Sequence, residues 1–578
     1  MRTMVLAGCL MLAPRSGLSG QSHNAGELTG LWSGQLVIAP KLSGPITILR
    51  GSTHWTATIG GQSRQAPLPP PVTISFGDSL GELRFSVSGR APRTVFWVQP
   101  PSIGPGYATP VAVHRARSGE WHGAVRPLPQ IFSLFLQVDS GPDGQWRGVF
   151  RNPEANWNGR TTYRVVREAD TVRFLDPVSG RVRWNQPFDP VGRRISFDFG
   201  APLDVTPVSR QTAEGFLPRR GGAASYRYRR PATTADGWPT ARAGTVGIDE
   251  RGLASIVRRI EATDPAAGGA PRLHSLLVAR RGRLVLDEYF YGYAEDQPHD
   301  LRSASKTITS VLAGVAMARG AGWTMASPAL QTAGADRELV AADPRRARIT
   351  IGHLLAHSSG LDCDDDSDQS PGNEDRMQNQ RAERDWYRFT MSLASAAEPG
   401  ERSRYCSAGI NLVGGIIAKS LDTWLPELFH DAIGRPLSFG RYAINLMPTG
   451  QAYAAGGMYV RPRDLLKIGQ VYLDGGRWLG RRIIPASWVN ASTEPRIQAP
   501  NGSFDSHGWH RYQIAVDGRS YSEYEASGNG GQFLVVVPEL GLVVVSTAGN
   551  YGEYAAWKQF RDRELPDLIR ATRSKPAR

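Results

Sequence analysis

Periodicity changes once along this chain, and that change constrains the fold more than any single motif does. From about Leu28 to Gly200 the sequence is a series of short β-prone runs broken by Gly, Pro and Asp, among them Gln35 to Ile38, Leu83 to Val87, Thr94 to Val98, Phe132 to Val138 and Thr161 to Val166. No run carries apolar residues at the roughly 3.6-residue spacing of a helix, so this segment predicts an antiparallel β domain, either barrel or sandwich. Gly-x-Trp-x-Gly occurs at Gly30/Trp32/Gly34, Gly119/Trp121/Gly123 and Gly144/Trp146/Gly148. The unequal spacing argues against a tandem repeat, and the tryptophans read as core residues of strands whose glycines permit bends.

Residues 201 to 247 are rich in Pro, Arg, Gly and Thr without a period, as a linker would be. Over about 248 to 575 the character is mixed. Leu276 to Ala279 and Arg283 to Phe290 read as strands around Arg281-Gly282, and a helix starts near Ser303 with Ile308, Val311, Leu312 and Val315 in register. A second helix is predicted over Ala408 to Ser420, a hairpin over Phe533 to Val537 and Leu542 to Ser546, and an amphipathic helix around Trp557 and Phe560. Strands at both ends with helices between them predict an α/β (α+β) unit, one antiparallel sheet flanked by helices, preceded by the all-β domain.

The formal charge of +14 is carried mostly by Arg and is dispersed, without a basic run or aromatic interleaving, so nucleic-acid binding is not expected. No apolar run reaches the ~18 residues of a membrane span. Residues 1 to 20 have the outline of a secretory signal: Arg2, an apolar stretch from Met4 to Ala13, then Ser19 and Gly20. A periplasmic or secreted protein follows from that reading. Leu6-Ala7-Gly8-Cys9 also fits a lipobox, which leaves a lipid anchor at Cys9 as the alternative. Cys363 and Cys406 remain, either as a disulfide or as two buried thiols.

The chemistry centres on Ser303-Ala304-Ser305-Lys306. Residues three apart on a helix share a face, so a hydroxyl and an amine meet there. Between Lys41 and Lys419 the chain has one lysine, Lys306, while Arg fills the other basic positions. Arg cannot release its proton at neutral pH, whereas a desolvated Lys can have its pKa lowered and act as a base.

With these residues in view, the span from about Gly247 to Ile569 resembles the serine β-lactamase and penicillin-binding superfamily. The closer likeness is to the branch holding class C β-lactamases, D-alanyl-D-alanine peptidases, esterases and the 6-aminohexanoate-dimer hydrolase. Leu301 to Lys306 is similar to the nucleophile motif, Ile349 to Leu361 to the segment that follows it, and Tyr405-Cys406-Ser407 to the Tyr-x-Asn motif. Gly456-Gly457-Met458 and Pro462 to Leu473 match a late glycine turn and helix. The resemblance implies acylation of Ser303, with Lys306 and Tyr405 sharing the base role. It also implies an oxyanion site formed by Ser303 and the Ala526-Ser527-Gly528-Asn529 segment, with Gly528 and Asn529 the candidates there and Ser407 in substrate binding. No metal or organic cofactor is implied.

Two departures bear on substrate. Ser407 replaces the Asn of the second motif, and Ala526 replaces the Lys of the third, removing a cation that holds a substrate carboxylate. A small-molecule or short-peptide ester or amide is therefore expected rather than a β-lactam. A D-amino-acid cell-wall peptidase and a catalytically silent penicillin-binding-like sensor are the alternatives. His353 and His357 read as structural, and His507 and His510 are left outside the catalytic set. Asp362, Asp364, Asp365, Asp366 and Asp368 read as a solvated loop, a rim for cationic substrates, or a metal loop. Trp386, Tyr387 and Tyr453 are read as pocket lining or core.

Overall fold

The computed structural model describes residues 27–100, 106–219 and 225–573. The segment from Met1 to Gly20, with Cys9, lies outside the described residues.

The β-prone region forms two structures rather than one. A closed antiparallel barrel is built from Gly30–Ile38, Gln130–Ser140, Trp146–Arg151, Thr162–Glu168, Thr171–Leu175, Val182–Asp189, Arg194–Asp198 and Pro202–Val208. Alternate residues of each strand point inward, so Trp32, Leu134, Leu136, Phe150, Phe174 and Val205 fill its interior. The last barrel strand occupies the start of the expected linker, because Leu203 and Val205 supply the inward-facing residues that close the barrel.

Between the first two barrel strands, a second β layer is inserted. Its five-stranded sheet includes Gly44–Arg50, His54–Ile59 and Glu120–Val125, and it packs around Trp55, Trp97 and Trp121. Its other strands, Val72–Ser75, Glu82–Ser88, Ala91–Gln99 and Gly106–Val111, do not end within the β region. They continue through Tyr442–Leu446 and Met458–Val460 to His299–Asp300, a seven-stranded sheet shared with the C-terminal unit. The joint is a ladder in which Ile444 faces Ala108 and Asn445 faces Tyr107.

The C-terminal unit is an eight-stranded antiparallel sheet in the order Arg283–Tyr289, Leu273–Arg280, Leu542–Ala548, Gln532–Val537, Arg519–Gly528, His510–Val516, Phe504–Asp505, Ile497–Gln498. Helices cover both faces. Leu277, Leu534, Val536, Val543 and Val545 face the layer holding Ser305–Ala318, Ser407–Ser420 and Pro462–Leu473. Leu276, Val278, Phe533, Val535 and Val544 face Glu250–Glu261 and Leu565–Arg573. Burial on both sides explains why these strands read as continuous apolar runs instead of alternating ones. The helix Pro462–Leu473 lies close on the sheet at Gly469, where a Cβ would stand 2.5 Å from a Val543 methyl. Downstream of the barrel, the expected linker is docked: Trp238 is fully buried and packs edge-on against Trp478 at 5.1 Å.

Candidate active site

The segment carrying Ser303, the expected nucleophile, is a short 3-10 turn, Arg302–Ala304, leading into the helix Ser305–Ala318. The α-helix thus begins two residues later than the sequence suggests, because Arg302 adopts a left-handed conformation with φ of 49°. For a non-glycine residue that backbone is held only by its surroundings. Arg302 pairs with Asp300 at 2.7 Å and lies over the Tyr551 ring. Backbone bonds brace the same turn, with Leu301 N–H donating to Met458 O at 3.0 Å and Met458 N–H to Ser305 Oγ at 3.3 Å.

Lys306, 3% exposed, projects from the first helical turn and donates to Ser303 Oγ at 2.9 Å and to the Ala455 carbonyl at 2.8 Å. Its Nζ stands 4.8 Å from the centre of the Tyr405 ring. The segment carrying Tyr405 is fixed from several sides. Asp365 N–H donates to the Tyr405 carbonyl at 2.8 Å, and Cys406 is disulfide-bonded to Cys363. Cys406 N–H donates to His357 Nδ1 at 3.1 Å, and the His357 ring lies 4.5 Å from that of Tyr405.

Beneath the lysine is a carboxylate pair that sequence reasoning did not identify. Asp365 accepts from Ser407 N–H at 2.7 Å and Glu374 N–H at 2.8 Å. Glu374 accepts the Tyr453 hydroxyl at 2.5 Å and the Ser407 hydroxyl at 3.4 Å. Burial and the charge of Glu374 push Asp365 up to about 7. Burial also opposes ionisation of Glu374, but Lys306 and the Tyr453 hydroxyl outweigh it and hold Glu374 below its ordinary value.

Electrostatics correct one expectation. Burial alone depresses the Lys306 pKa, yet Tyr405, Glu374 and Asp365 together outweigh it and hold the ammonium above its ordinary value. Burial likewise raises the Tyr405 phenol, with the Lys306 charge and the Ser303 and Lys306 hydrogen bonds acting against it. The two groups form a coupled pair, not a free amine beside a phenol.

The remaining candidates are distributed as follows. Ser407 is fully buried with its hydroxyl on Glu374, and it is not among the residues lining the cavity at Ser303. Gly528 packs on the nucleophile turn so closely that a Cβ would stand 2.3 Å from Leu301 O and 3.1 Å from Ala304 N. Asn529 turns its side-chain oxygen away to accept from Gly552 N–H at 2.7 Å. His353 caps its helix in a box with Thr350. Trp386 and Tyr453 pack edge-on in the core, and Tyr387 donates to Ala452 O at 3.3 Å. Of the acidic run, Asp365 does not belong to a solvated loop, since both carboxylate oxygens accept backbone N–H groups of the folded core.

A cavity of about 10 Å³ adjoins Ser303 and Lys306 and is lined also by His357, His510, Ala526 and Ser527. His510 Nδ1 is in hydrogen-bond contact with Asp505 at 2.7 Å. Asp505 and His510 face each other across a short local hairpin; what the sequence does not show is that this hairpin borders Ser303. Among the described residues, no group of three or more His, Cys, Asp or Glu is arranged to hold a metal ion.

A half-buried Ser303 in the turn before a helix, with the buried Lys306 on that helix, lies against an antiparallel sheet, and the family to which the chain belongs is that of the β-lactamase-like serine hydrolases. Residues 257–557 match the Beta-lactamase family model, and the chain belongs to that family. The chain is 26% identical over 342 residues to a 6-aminohexanoate-dimer hydrolase of Paenarthrobacter ureafaciens, covering 53% of this chain and 84% of that one. Among solved structures it is similar to a penicillin-binding protein homologue from Caulobacter crescentus, at 15% identity, 56% and 98% coverage and a TM-score of 0.43. It is also similar to a mutant simvastatin synthase from Aspergillus terreus, at 18% identity, 52% and 94% coverage and a TM-score of 0.41.

Proposed function

We propose that this protein cleaves an ester or amide through an acyl-enzyme on Ser303, with Lys306 and Tyr405 as the proton-transfer pair. The observation that carries the reading is the 2.9 Å contact between Lys306 Nζ and Ser303 Oγ beside the Tyr405 ring. Loss of one proton from the pair leaves phenolate beside ammonium or phenol beside amine; either form accepts the Ser303 proton as Oγ attacks and passes it to the alcohol or amine that departs as its bond to the acyl carbon breaks. The oxyanion that follows is stabilised by the backbone N–H groups of Ser303 and Asn529, the latter next to the point where Gly528 packs on the nucleophile turn. Ala526 presents a methyl group where the resembling enzymes have a cation, which favours a neutral acyl group. The name of the Paenarthrobacter relative, a 6-aminohexanoate-dimer hydrolase, is compatible with this class.

Export belongs to the same proposal. Met1 to Gly20 is the signal segment, and the Cys363–Cys406 disulfide supports it, since such bonds persist mainly in oxidising compartments. Among the described residues, no helix is long and apolar enough to cross a membrane.

The test is to treat the protein with a fluorophosphonate probe, locate the label by mass, and assay p-nitrophenyl esters beside a chromogenic cephalosporin. Labelling at Ser303 with ester turnover is the expected outcome. An unlabelled protein without turnover overturns the reading in favour of a silent sensor, and efficient cephalosporin turnover overturns the substrate class.

A further inference from the structure

We propose that His510, oriented by Asp505, is the base that activates water to release the acyl group from Ser303. The inference rests on the acyl-enzyme reading above and adds a second, separate proton-transfer group to it.

Asp505 is 3% exposed and accepts two hydrogen bonds, from the Ser403 hydroxyl on one oxygen and from His510 Nδ1 on the other. Burial works against its ionisation, but its hydrogen bonds, that to His510 first, outweigh it and keep the carboxyl below its ordinary value. An ionised carboxylate only accepts, so His510 Nδ1 must carry the proton, and Nε2 is left as the basic nitrogen. The His510 ring lies parallel to His357 at 6.3 Å and 6.2 Å from the ring of Tyr405, beside the nucleophile and not out on the surface. Two partners thus hold the ring in place, one through Nδ1 and one by stacking.

The same cavity joins Ser303, Lys306 and His510, and its volume of about 10 Å³ is close to the space one water needs. Lys306 already donates to Ser303 Oγ and Ala455 O, so its geometry serves the serine oxygen. His510 is a second base that reaches the cavity without using that pair.

The step balances as follows. Water oxygen bonds to the acyl carbon while its proton passes to His510 Nε2. The bond from the acyl carbon to Ser303 Oγ then breaks, and Oγ takes a proton from the Lys306–Tyr405 pair. The imidazolium releases its proton to solvent and the pair regains one, so a free acid leaves and the enzyme returns to its starting state. The carboxylate of Asp505 stays ionised throughout and acts as a positioning residue.

The experiment is stopped-flow hydrolysis of p-nitrophenyl acetate by the full chain and by His510→Ala and Asp505→Asn, with intact-mass detection of the acyl-enzyme and fluorophosphonate labelling alongside. For H510A, labelling and the first burst of p-nitrophenol should stay within about threefold of wild type. Steady-state turnover should fall about a hundredfold or more, with acyl-Ser303 accumulating. Added imidazole should restore part of the lost rate, which a merely structural histidine would not allow. D505N, which keeps the shape of the side chain, should slow the same step by about tenfold, so the proposal stays testable if H510A does not fold. Wild-type-like turnover in H510A, or equal slowing of burst and steady state without acyl-enzyme in D505N, overturns the role of His510. Failure of the wild type itself to label at Ser303 overturns the acyl-enzyme reading instead.

Discussion

Cys363 and Cys406 are joined by a disulfide, and Cys406 directly follows Tyr405, so the cross-link ties the phenol-bearing segment to the loop that carries Asp365. Asp365 reinforces the tie, donating its N–H to the Tyr405 carbonyl and accepting Ser407 N–H. Three contacts from one short loop therefore decide where Tyr405 stands relative to Ser303.

Removing that cross-link should cost both stability and rate. The disulfide closes a loop of 43 residues, for which chain entropy gives about 4 kcal/mol. A double Cys363→Ser, Cys406→Ser variant should melt lower by several degrees and lose ester turnover more than it loses fluorophosphonate-probe binding. Denaturant melts and kcat, with and without reductant on the wild type, check this; an unchanged melt refutes it.

Replacement of Lys306 by Arg should reduce kcat/KM by at least about a hundredfold, because the charge remains while the removable proton does not. The ammonium is also matched to two oxygens, Ser303 Oγ and Ala455 O, which a planar fork cannot meet in the same way. Steady-state assays on a variant shown to be folded decide it, and retained turnover excludes the amine from proton transfer.

The pH profile of acylation follows from the sign of the shifts. Lys306 and Tyr405 are both held above their ordinary values, so the proton-accepting form of the pair is scarce at neutral pH and grows as pH rises. kcat/KM for a neutral ester should therefore climb through pH 7 to 9. Glu374→Gln removes a charge that holds the ammonium, and it should move that rise to lower pH by on the order of one unit. A flat profile, or an upward shift in E374Q, contradicts the electrostatics.

Acid should destabilise the fold through its buried histidines, four in number against the single carboxyl, Asp365, that burial raises to about 7 beside the site. His274, His299, His357 and His507 are all buried, and burial depresses each, with His357 near 3, His299 and His507 near 4, and His274 well below its ordinary 6.5. As pH falls through 6.5, the unfolded chain binds protons that the folded one refuses until pH approaches those lower values. Each such histidine then lowers stability by about 1.4 kcal/mol per pH unit. Chemical denaturation at pH 7.5, 6 and 5 should show a steady fall, and a constant or rising stability across that range contradicts it.

Local order was legible because it is written in short windows. Apolar runs such as Phe533 to Val537 announced buried strands, Pro538 to Gly541 announced the turn between them, and the spacing of Ser303 and Lys306 put hydroxyl and amine on one side of a helical turn. The β region was also visible, but one period describes a barrel and an inserted sheet equally well. Pairing partners far apart in sequence, Gly30–Ile38 with Pro202–Val208 and Gly106–Val111 with Tyr442–Leu446, separate the two.

By itself, the sequence determined the elements and the Ser303–Lys306 contact, since both follow from backbone geometry over a few residues. Only the tertiary structure decided the charge state around them. Glu374, Asp365, His357 and His510 come from separate segments, and a buried charge is governed by whatever packing places within a few ångströms of it, which no local pattern records.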